Sequence, residues 1–197
     1  MSFLKKYTNL TAYNADLNKD FPNVSYLVDE DEMKWVKDDP TLIIATYDVV
    51  RTNNNKLLHN SASIEKMWID GVLQPSIVTS YNFSTTGEHI VKYKLIDNTT
   101  IGDYCFFTTH NGLNYGGLKS IIIPSNVTTI GNDSIRECRF LESITFLATT
   151  PPTLYNDSSL YQNQEITIYV PAESVNAYKT AQNYSRYVSE IQAIPTT

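Results

Sequence analysis

The chain is poor in cysteine, in clustered positive charge and in long apolar runs. Its two cysteines, Cys105 and Cys138, are too few for a disulfide framework, so we expect two free, buried thiols, with one disulfide as the alternative. Lys5 and Lys6 form the only adjacent basic pair, and the formal net charge is −6. This charge argues against nucleic acid as a partner, because proteins that bind it cluster lysine and arginine.

Membrane and export signals are also missing from the sequence. The longest apolar stretch, at residues 42–45, is far shorter than the ~20 residues that a membrane-spanning helix needs. Residues 1–7 lack the apolar run of a signal peptide. We therefore expect no membrane partner, and a protein that is made in a cytoplasm and stays there or leaves by lysis.

The chain does contain a short sequence motif that occurs twice. Residues 99–102 read Thr-Thr-Ile-Gly and return at residues 128–131, an offset of 29 at the Ile-Gly pair (130 minus 101). Each repeat continues to a Leu-x-x-Ile, at residues 118–121 and 141–144, with an offset of 23 (141 minus 118). The first repeat thus carries six additional residues, which we place at about 108–115. A period of ~20–30 residues is typical of leucine-rich solenoids, whose repeats must stack to bury an apolar face.

A third, degenerate repeat follows, and then a helix. It passes through Leu154 and Leu160 to a strand at residues 166–170, and about three repeats are needed for a stable stack. Pro171 is placed to begin a helix. Residues at helical spacing continue along Val175, Tyr178, Ala181, Tyr184, Tyr187 and Ile191. This helix would cap the last repeat.

Two regions precede the repeats. Residues 41–50, 64–69 and 89–95 read as short strands, and Asp70-Gly71 is a strong hairpin turn, which together predict a small antiparallel sandwich. Residues 1–40 are different, since a strand at 21–28, an acidic run and a strand at 33–36 form at most one hairpin. This segment is too short to fold alone and needs a host.

These residues carry a family resemblance. The pattern Leu-x-x-Ile-x-Ile-Pro-x-x-Val-Thr-x-Ile-Gly at residues 118–131 resembles the BspA-type leucine-rich repeat, common in Bacteroidales bacteria and their phages, although Ile135 stands where the family usually has Phe. Residues 168–179 are similar to the C-terminal cap of that repeat. The sandwich resembles the immunoglobulin-like or PKD-like module that precedes such repeats in gut phage genomes. Residues 7–32 resemble the N-terminal segment of structural proteins of crAss-like phages.

The resemblance implies a mainly β chain of four parts. They are an N-terminal extended docking segment (1–39), a small Ig-like β-sandwich (40–97), BspA-type leucine-rich repeats (98–170) and a helical cap (171–197). It also implies a non-enzymatic virion structural protein, a capsid decoration or head-fibre component in a symmetric assembly, with other capsid or fibre proteins as partners. The alternative is a tail receptor-binding or bacterial surface adhesin module that binds a glycan or protein on the host surface.

Two groups of residues are candidate binding residues, and neither the chemistry nor the spacing of the chain predicts a catalytic residue, a metal site or a cofactor. In the docking segment they are Phe21, Tyr26, Asp29, Asp31 and Trp35, with residues 29–32 as an acidic run for a basic patch of the partner. On the loops of the repeats they are His110, Tyr115, Tyr155 and Tyr161, which would form a shallow aromatic site. The three histidines lie in three separate segments without the spacing of metal ligands.

Overall fold

The computed structural model describes residues 39–107, 116–162 and 164–195, together with two short strands nearer the N-terminus. It contains two compact units, Met1–Pro40 and Thr41–Thr197.

In the first unit, strand β1 (Lys5–Tyr7) pairs in parallel with β2 (Tyr26–Val28). The second strand of the hairpin predicted here, residues 33–36, lies outside the described residues, so that hairpin stays a prediction.

The second unit is built on one large mixed sheet. Its elements are β3 (Ile43–Val49), β4 (Asn55–Lys56), β5 (Ile64–Ile69), β6 (Val72–Leu73), β7 (Ser80–Tyr81), β8 (Gly87–Leu95), β9 (Thr100–Ile101), β10 (Gly116–Ile123), β11 (Thr129–Ile130), β12 (Ser143–Phe146), β13 (Thr153–Leu154), β14 (Thr167–Val170) and β15 (Ile191–Ala193). Eight strands form the sheet, in the order β15-β14-β12-β10-β3-β8-β5-β6. Two small sheets, β13-β11-β9 and β4-β7, accompany it. The prediction of a mainly β chain is confirmed.

Strands β3, β8, β5 and β6 form the antiparallel half of the large sheet. Alternation of apolar and polar residues along β3 and β8 places every second side chain in the core, as the sequence predicts. The turn between β5 and β6 is the predicted Asp70-Gly71 pair, with φ of 50° and 82°. Two positive φ angles are the mark of the tight hairpin turn whose twist matches that of its strands.

Strands β10, β12, β14 and β15 form the parallel half of the same sheet. The repeated phrase is in register, since Ile130 pairs with Ile101 on one side and with Leu154 on the other. Likewise Ile144 pairs with Ile121 and Ile168 across the large sheet. Equivalent apolar residues of the repeats therefore lie one above another and face a common core.

The two halves are joined by antiparallel pairing of β3 with β10, in which Ala45 lies opposite Ile121. One hydrophobic cluster runs through both halves. At the centre of the antiparallel half, the Tyr47 hydroxyl donates to the Leu57 carbonyl (2.7 Å) and lies 2.9 Å from the Tyr93 hydroxyl. Because the single proton of Tyr47 is used on Leu57, Tyr93 is the donor in this pair. Burial raises the pKa of both hydroxyls far above the ordinary value, so both stay protonated. The Ig-like and solenoid assignments, and the boundaries at residues 97 and 170, stay predictions.

The start of the stack of repeats is covered by the loop at residues 59–63. The backbone N–H of His59 donates to the carbonyl of Cys105 (2.8 Å), and the Gly102 N–H donates to the hydroxyl of Ser63 (3.1 Å). Adjacent repeats are joined to each other by similar backbone hydrogen bonds, such as that from the Gly131 N–H to the Ile101 carbonyl (2.8 Å). The antiparallel half thus supplies the first repeat with the neighbour that a preceding repeat would provide.

The end of the stack is covered by three buried tyrosines. Their hydroxyls donate to backbone carbonyls of the third repeat, Tyr178 to Ala148 (2.8 Å), Tyr184 to Pro152 (3.0 Å) and Tyr187 to Asp157. The rings of Tyr178 and Tyr184 also pack against each other and against Phe146. Each hydroxyl thereby satisfies a backbone acceptor at the last repeat while its ring extends the core.

The cap is less helical than its spacing predicts. A short 3-10 turn (Ala172–Ser174) leads to helix α1 (Val175–Thr180), which ends because Ala181 is extended, with ψ of 151°. Asn183 then takes a left-handed φ of 67°, and Tyr187 lies in a second 3-10 turn (Ser185–Tyr187). The continuation of the helix to Ile191 is wrong, since that residue lies in β15. This path lets Tyr184 and Tyr187 reach their carbonyl acceptors.

Both cysteines are free and buried, as predicted. The Cys138 thiol donates to the carbonyl of Phe106 (3.1 Å), and Cys105 accepts from the Ser63 hydroxyl (3.9 Å). Burial raises the pKa of Cys105 to about 12. A thiol held neutral in this way is not a nucleophile at neutral pH, which agrees with the assignment of Cys105 to the core.

Candidate binding surface

The segments that follow β9, β11 and β13 lie side by side along one edge of the repeats. Asp103, Asn132 and Asn156 each occupy the second position after the buried Ile or Leu of their strand. Because the strands are in register, the three polar side chains come together. We call these three residues and Tyr104 the turn edge.

Hydrogen bonds connect the turn edge from the first repeat to the third. Asp103 Oδ1 accepts from the Asn132 backbone N–H (2.7 Å), and Asn132 Nδ2 donates to the Tyr104 hydroxyl (2.7 Å). Asn156 Nδ2 in turn donates to Asn132 Oδ1. The amide of Asn156 also accepts from the backbone N–H of Ser158 (3.0 Å). The side chains are therefore held in fixed orientations, as recognition of a polar ligand requires.

Three aromatic rings lie at the beginning of the turn edge. The Phe107 ring is 5.4 Å from His59 and 5.8 Å from Tyr104, between ring centroids, and His59 and Tyr104 are 6.4 Å apart. Tyr104 has a φ of 56°, which an L residue other than Asn or Asp rarely adopts, and the residue is 37% exposed. A strained backbone that keeps a tyrosine ring partly in solvent, beside a histidine, is a feature of binding sites more than of cores.

The third repeat carries a second cluster, which combines aromatic and positive groups. The guanidinium of Arg186 lies 4.5 Å from the centroid of the Tyr161 ring, and that of Arg136 lies 5.8 Å from it. Arg136 is also bound to Asp133 (3.0 Å), whose other oxygen accepts from Ser158 (2.8 Å). Tyr161 is therefore a half-buried ring held by cations.

The antiparallel half contains an arrangement with the distances of a catalytic triad. Nδ1 of the buried His89 lies 2.7 Å from Asp70 Oδ2, and Nε2 lies 3.3 Å from the Thr85 hydroxyl. However, Nε2 also lies 3.1 Å from the Thr85 carbonyl oxygen, which can only accept. Since a carboxylate only accepts, Nδ1 is the nitrogen that donates to Asp70, and Nε2 of the neutral ring accepts from the Thr85 hydroxyl; it donates to the carbonyl only when both ring nitrogens carry protons. The three groups tie the Asp70-Gly71 turn to the turn before β8.

The structure separates the candidate residues that the sequence predicts. Tyr155 is 70% exposed on the third repeat, and Tyr161 is held by the two arginines. Tyr26 lies in β2. The others, namely Phe21, Asp29, Asp31, Trp35, His110 and Tyr115, lie outside the described residues, as does the six-residue insertion.

Sequence reasoning missed His59, Tyr104 and Phe107, and it missed the hydrogen-bonded polar row. One signal was present, because Asp103 and Asn132 stand at the same place after the repeated Ile-Gly. The contact of His59 with the first repeat has no counterpart in the sequence pattern, since it depends on how the loop at residues 59–63 folds over that repeat.

Within the described ranges, no group of three or more metal-binding side chains comes together. The same residues include no helix that is both long enough and apolar enough to cross a membrane. A shallow groove of about 770 Å³ lies beside the ends of β12, β14 and β15 and is lined by polar residues that include Arg139, Glu142, Glu165 and Glu190.

A scan against models of protein families finds no match to the chain, and a search among curated proteins finds none either.

Proposed function

We propose that this protein is a non-enzymatic structural component of a phage virion, a capsid decoration or head-fibre protein whose residues 98–170 are a short BspA-type leucine-rich solenoid. In this proposal residues 1–39 dock onto other virion proteins, the Ig-like region acts as a spacer, and the repeats are displayed on the surface of the particle. The resemblance of residues 118–131 and 168–179 to the BspA-type repeat and its cap is the reason for the phage assignment.

The observation that carries the display role is that the stack of three repeats is covered at both ends. The loop at residues 59–63 covers the first repeat, and Tyr178, Tyr184 and Tyr187 cover the third. A stack closed in this way is rigid and does not extend by adding further repeats at its ends. Its turns, linked by hydrogen bonds from Asp103 to Asn156, then present a fixed surface to solvent.

The test is whether the protein is part of purified particles. We expect peptides of the chain in density-purified virions at a copy number set by the symmetry of the capsid or of the fibre attachment point. A nonstructural phage protein from the same lysate is the control, and it should be lost on purification. Absence of the chain from particles that retain their other structural proteins would overturn the proposal.

A second candidate function is glycan binding by an adhesin or a tail receptor-binding module. The exposed ring of Tyr155, and the partly exposed Tyr104 beside His59 and Phe107, favour it, since sugars stack on aromatic faces and bond to fixed amides such as Asn132.

The two aromatic positions can be tested separately on the full chain. Binding to a glycan array of the host surface should fall at least about tenfold for Tyr104→Ala or Tyr155→Ala if the ring stacks on a sugar. Val188→Ala, at a residue that is also exposed, is the matched control and should leave binding unchanged. Equal binding by all variants, or no binding by the natural chain, argues against this function.

A further inference from the structure

Among the described residues, four polar groups of the turn edge have no partner and are open to a ligand. The oxygen of the Tyr104 hydroxyl accepts from Asn132 Nδ2 (2.7 Å), so its own hydrogen is free to donate. Asn132 Nδ2 and Asn156 Nδ2 each use one of their two hydrogens within the edge and keep the second. Asp103 accepts from the Asn132 backbone N–H (2.7 Å) through Oδ1 and keeps Oδ2 as an acceptor. The edge thus offers three donor hydrogens and one carboxylate oxygen.

Two exposed tyrosines lie at the two ends of this row. Tyr104 follows β9 and Tyr155 follows β13, and these two strands lie on either side of β11. Neighbouring strands are about 4.8 Å apart, so the two turns are separated by roughly 10 Å. The hydrogen bonds from Tyr104 through Asn132 to Asn156 end at the residue next to Tyr155. The two amides therefore connect the turns that carry the rings.

The ring of Tyr104 is held by its neighbours. Phe107 packs against it at an interplanar angle of 83°, and the His59 ring lies 6.4 Å away between centroids. Its hydroxyl is bound by Asn132 as well. Because the ring is ordered before a ligand arrives, binding loses little side-chain freedom.

We propose that the turn edge binds a neutral, N-acetylated, β-1,4-linked glycan, with one sugar unit on each of the three repeats. Tyr104 and Tyr155 stack on the first and third units. The amides of Asn132 and Asn156 donate to acetamido and hydroxyl oxygens of the chain, and Asp103 accepts from a sugar hydroxyl. The inference rests on the glycan-binding function proposed above and names the class of sugar.

The spacing of the repeats fits a chain of this linkage. In an extended β-1,4-linked chain each sugar is turned over relative to the one before it, so the first and third units present the same face in the same direction. The length of one unit is close to the spacing of neighbouring strands, about 4.8 Å. Two tyrosines that follow alternate strands therefore meet equivalent faces of alternate sugars.

Charge excludes an acidic glycan from this site. Asp103 is exposed within the row, and the chain has a net charge of −6, so carboxylates or sulfates on a sugar would be repelled. The two arginines of the third repeat lie against the Tyr161 ring, and one of them, Arg136, is bound to Asp133. A neutral sugar meets no such repulsion.

The balance of donors and acceptors favours an acetylated sugar. Three donor hydrogens face outward against one carboxylate oxygen, so the ligand must supply more acceptors than donors. A sugar hydroxyl brings a donor with every acceptor, whereas the carbonyl of an acetamido group only accepts. A chain of N-acetylated sugars satisfies the row better than a chain that carries hydroxyls alone.

Calorimetric titration of the purified full chain with chito-oligosaccharides, oligomers of one to six N-acetylglucosamine units, tests the arrangement. We expect the affinity to rise at least about tenfold from two units to three, because the third unit brings the second ring into contact. From three units to six it should stay within about twofold, since the stack has no further repeat to contact.

Two variants separate stacking from hydrogen bonding. Tyr155→Ala should remove the gain from two units to three. Asn132→Asp keeps the shape of the side chain but exchanges a donor for a charged acceptor, so it should weaken binding of the trisaccharide at least about tenfold. Tyr169→Ala, at a partly exposed tyrosine in β14 of the large sheet, is the matched control and should bind like the natural chain. Circular dichroism checks that each variant is folded.

Two further sugars test the chemical class. Cellotriose has the same linkage without acetamido groups, and it should bind at least about tenfold more weakly than the chitin trisaccharide. A β-1,4-linked trimannuronate has carboxylates on each unit, and we expect no measurable binding.

The inference is overturned by equal affinity for two and three units, by a Tyr155→Ala variant that binds as the natural chain does, or by cellotriose that binds as tightly as the chitin trisaccharide. If the glycan array shows a different sugar whose binding is lost in Tyr104→Ala, this sugar class is refuted and the glycan-binding function stands. If nothing on the array binds, both fail. The presence of the chain in virions is measured on particles and does not depend on either result.

Discussion

The antiparallel and parallel halves of the large sheet are held together by different means. In the antiparallel half, β5 and β6 are joined by a two-residue turn, and the alternation of β3 and β8 defines the buried face. In the parallel half, strands that pair are more than 20 residues apart in sequence, as with Ile121 and Ile144. Their register depends on the equivalence of whole repeats and on contacts between their turns.

This difference shows that the two halves supply different things to one core. The antiparallel half covers the first repeat with the loop at residues 59–63, and the parallel half is closed at its other end by the tyrosine layer. Neither half has a hydrophobic core of its own, because β3 pairs with β10 and one hydrophobic cluster runs through both halves. We therefore expect damage to one half to unfold the other, and the predictions below test this expectation.

The largest effect is expected at the closed end of the parallel half. Phe146, the last residue of β12, is fully buried against the rings of Tyr178 and Tyr184, so Phe146→Ala should lower the free energy of unfolding by about 3–5 kcal/mol. Urea unfolding followed by fluorescence and by circular dichroism should give a single transition for both probes. Leu147→Ala, at the adjacent residue that is 45% exposed, is the control and should change little. Two separate transitions would show that the halves unfold independently.

The glycine of the repeated Thr-Thr-Ile-Gly motif has less space around it in the second repeat (Gly131) than in the first (Gly102). A Cβ atom at Gly131 would lie 2.4 Å from Asp103 Oδ1 and 2.7 Å from the Asp103 backbone nitrogen, whereas one at Gly102 would lie 3.2 Å from the Ser63 side chain. Gly131→Ala should therefore cost about 2–3 kcal/mol, and Gly102→Ala less than about 1 kcal/mol, in thermal or urea unfolding. Equal losses would contradict the view that repeats approach each other more closely than the loop approaches the first repeat.

The tyrosine pair tests the antiparallel half. Tyr47→Phe removes the donor to the Leu57 carbonyl and the acceptor of Tyr93, so we expect a loss of about 1–2 kcal/mol. Tyr93→Phe removes one bond and leaves the bond of Tyr47 to Leu57 in place, so the loss should be about half as large. The double variant checks the coupling in a double-mutant cycle. A larger loss for Tyr93→Phe would reverse the assigned direction of the hydrogen bond.

The smallest effect is a dependence on alkaline pH at the junction of the halves. Burial raises the pKa of Cys105 from 9.0 to about 12, so the unfolded chain loses this proton at a lower pH than the folded chain does. The folded state then binds more protons, and stability falls as the pH rises from 9.0 toward 12, by about 1 kcal/mol at about pH 10. Cys105→Ala should remove this part of the pH dependence in unfolding experiments, while the slope between about pH 6 and 8 stays as in the natural chain. An unchanged slope above pH 9.0 would place the titration elsewhere.

Much of the antiparallel half could be predicted from its residues. The alternation in β3 and β8 and the Asp-Gly turn are local signals, and local signals act within a few residues of each other. The pairing of the repeated Thr-Ile segments was also visible, because identical phrases at a fixed period stack in register. The end of α1 at Thr180 could not be predicted, because the spacing of Tyr184 and Tyr187 suits a longer helix. The hydrogen bonds of these two tyrosines to the third repeat require the chain to leave the helix before them.

The surface features depended most on tertiary structure. Residues 59–63 read as a loop of no special character, and only folding places His59 beside Tyr104 and Phe107. Lys66 and Lys94 are 28 residues apart (94 minus 66), and the pairing of β5 with β8 makes them neighbours. Of the two predicted repeat-loop residues that the structure describes, Tyr155 is largely exposed, while Tyr161 is held between arginines.

The sequence by itself determined that the chain is mainly β, that its cysteines are buried and free, and that its repeated segments align. These properties follow from short-range periodicity and from repetition, which the order of residues records directly. Only the tertiary structure decided that the antiparallel and repeat strands form one sheet, that a loop and three tyrosines close the stack, and that the amides of Asn132 and Asn156 connect the turns of Tyr104 and Tyr155. These depend on contacts between residues far apart in the chain, whose pairing is chosen by the packing of the whole core.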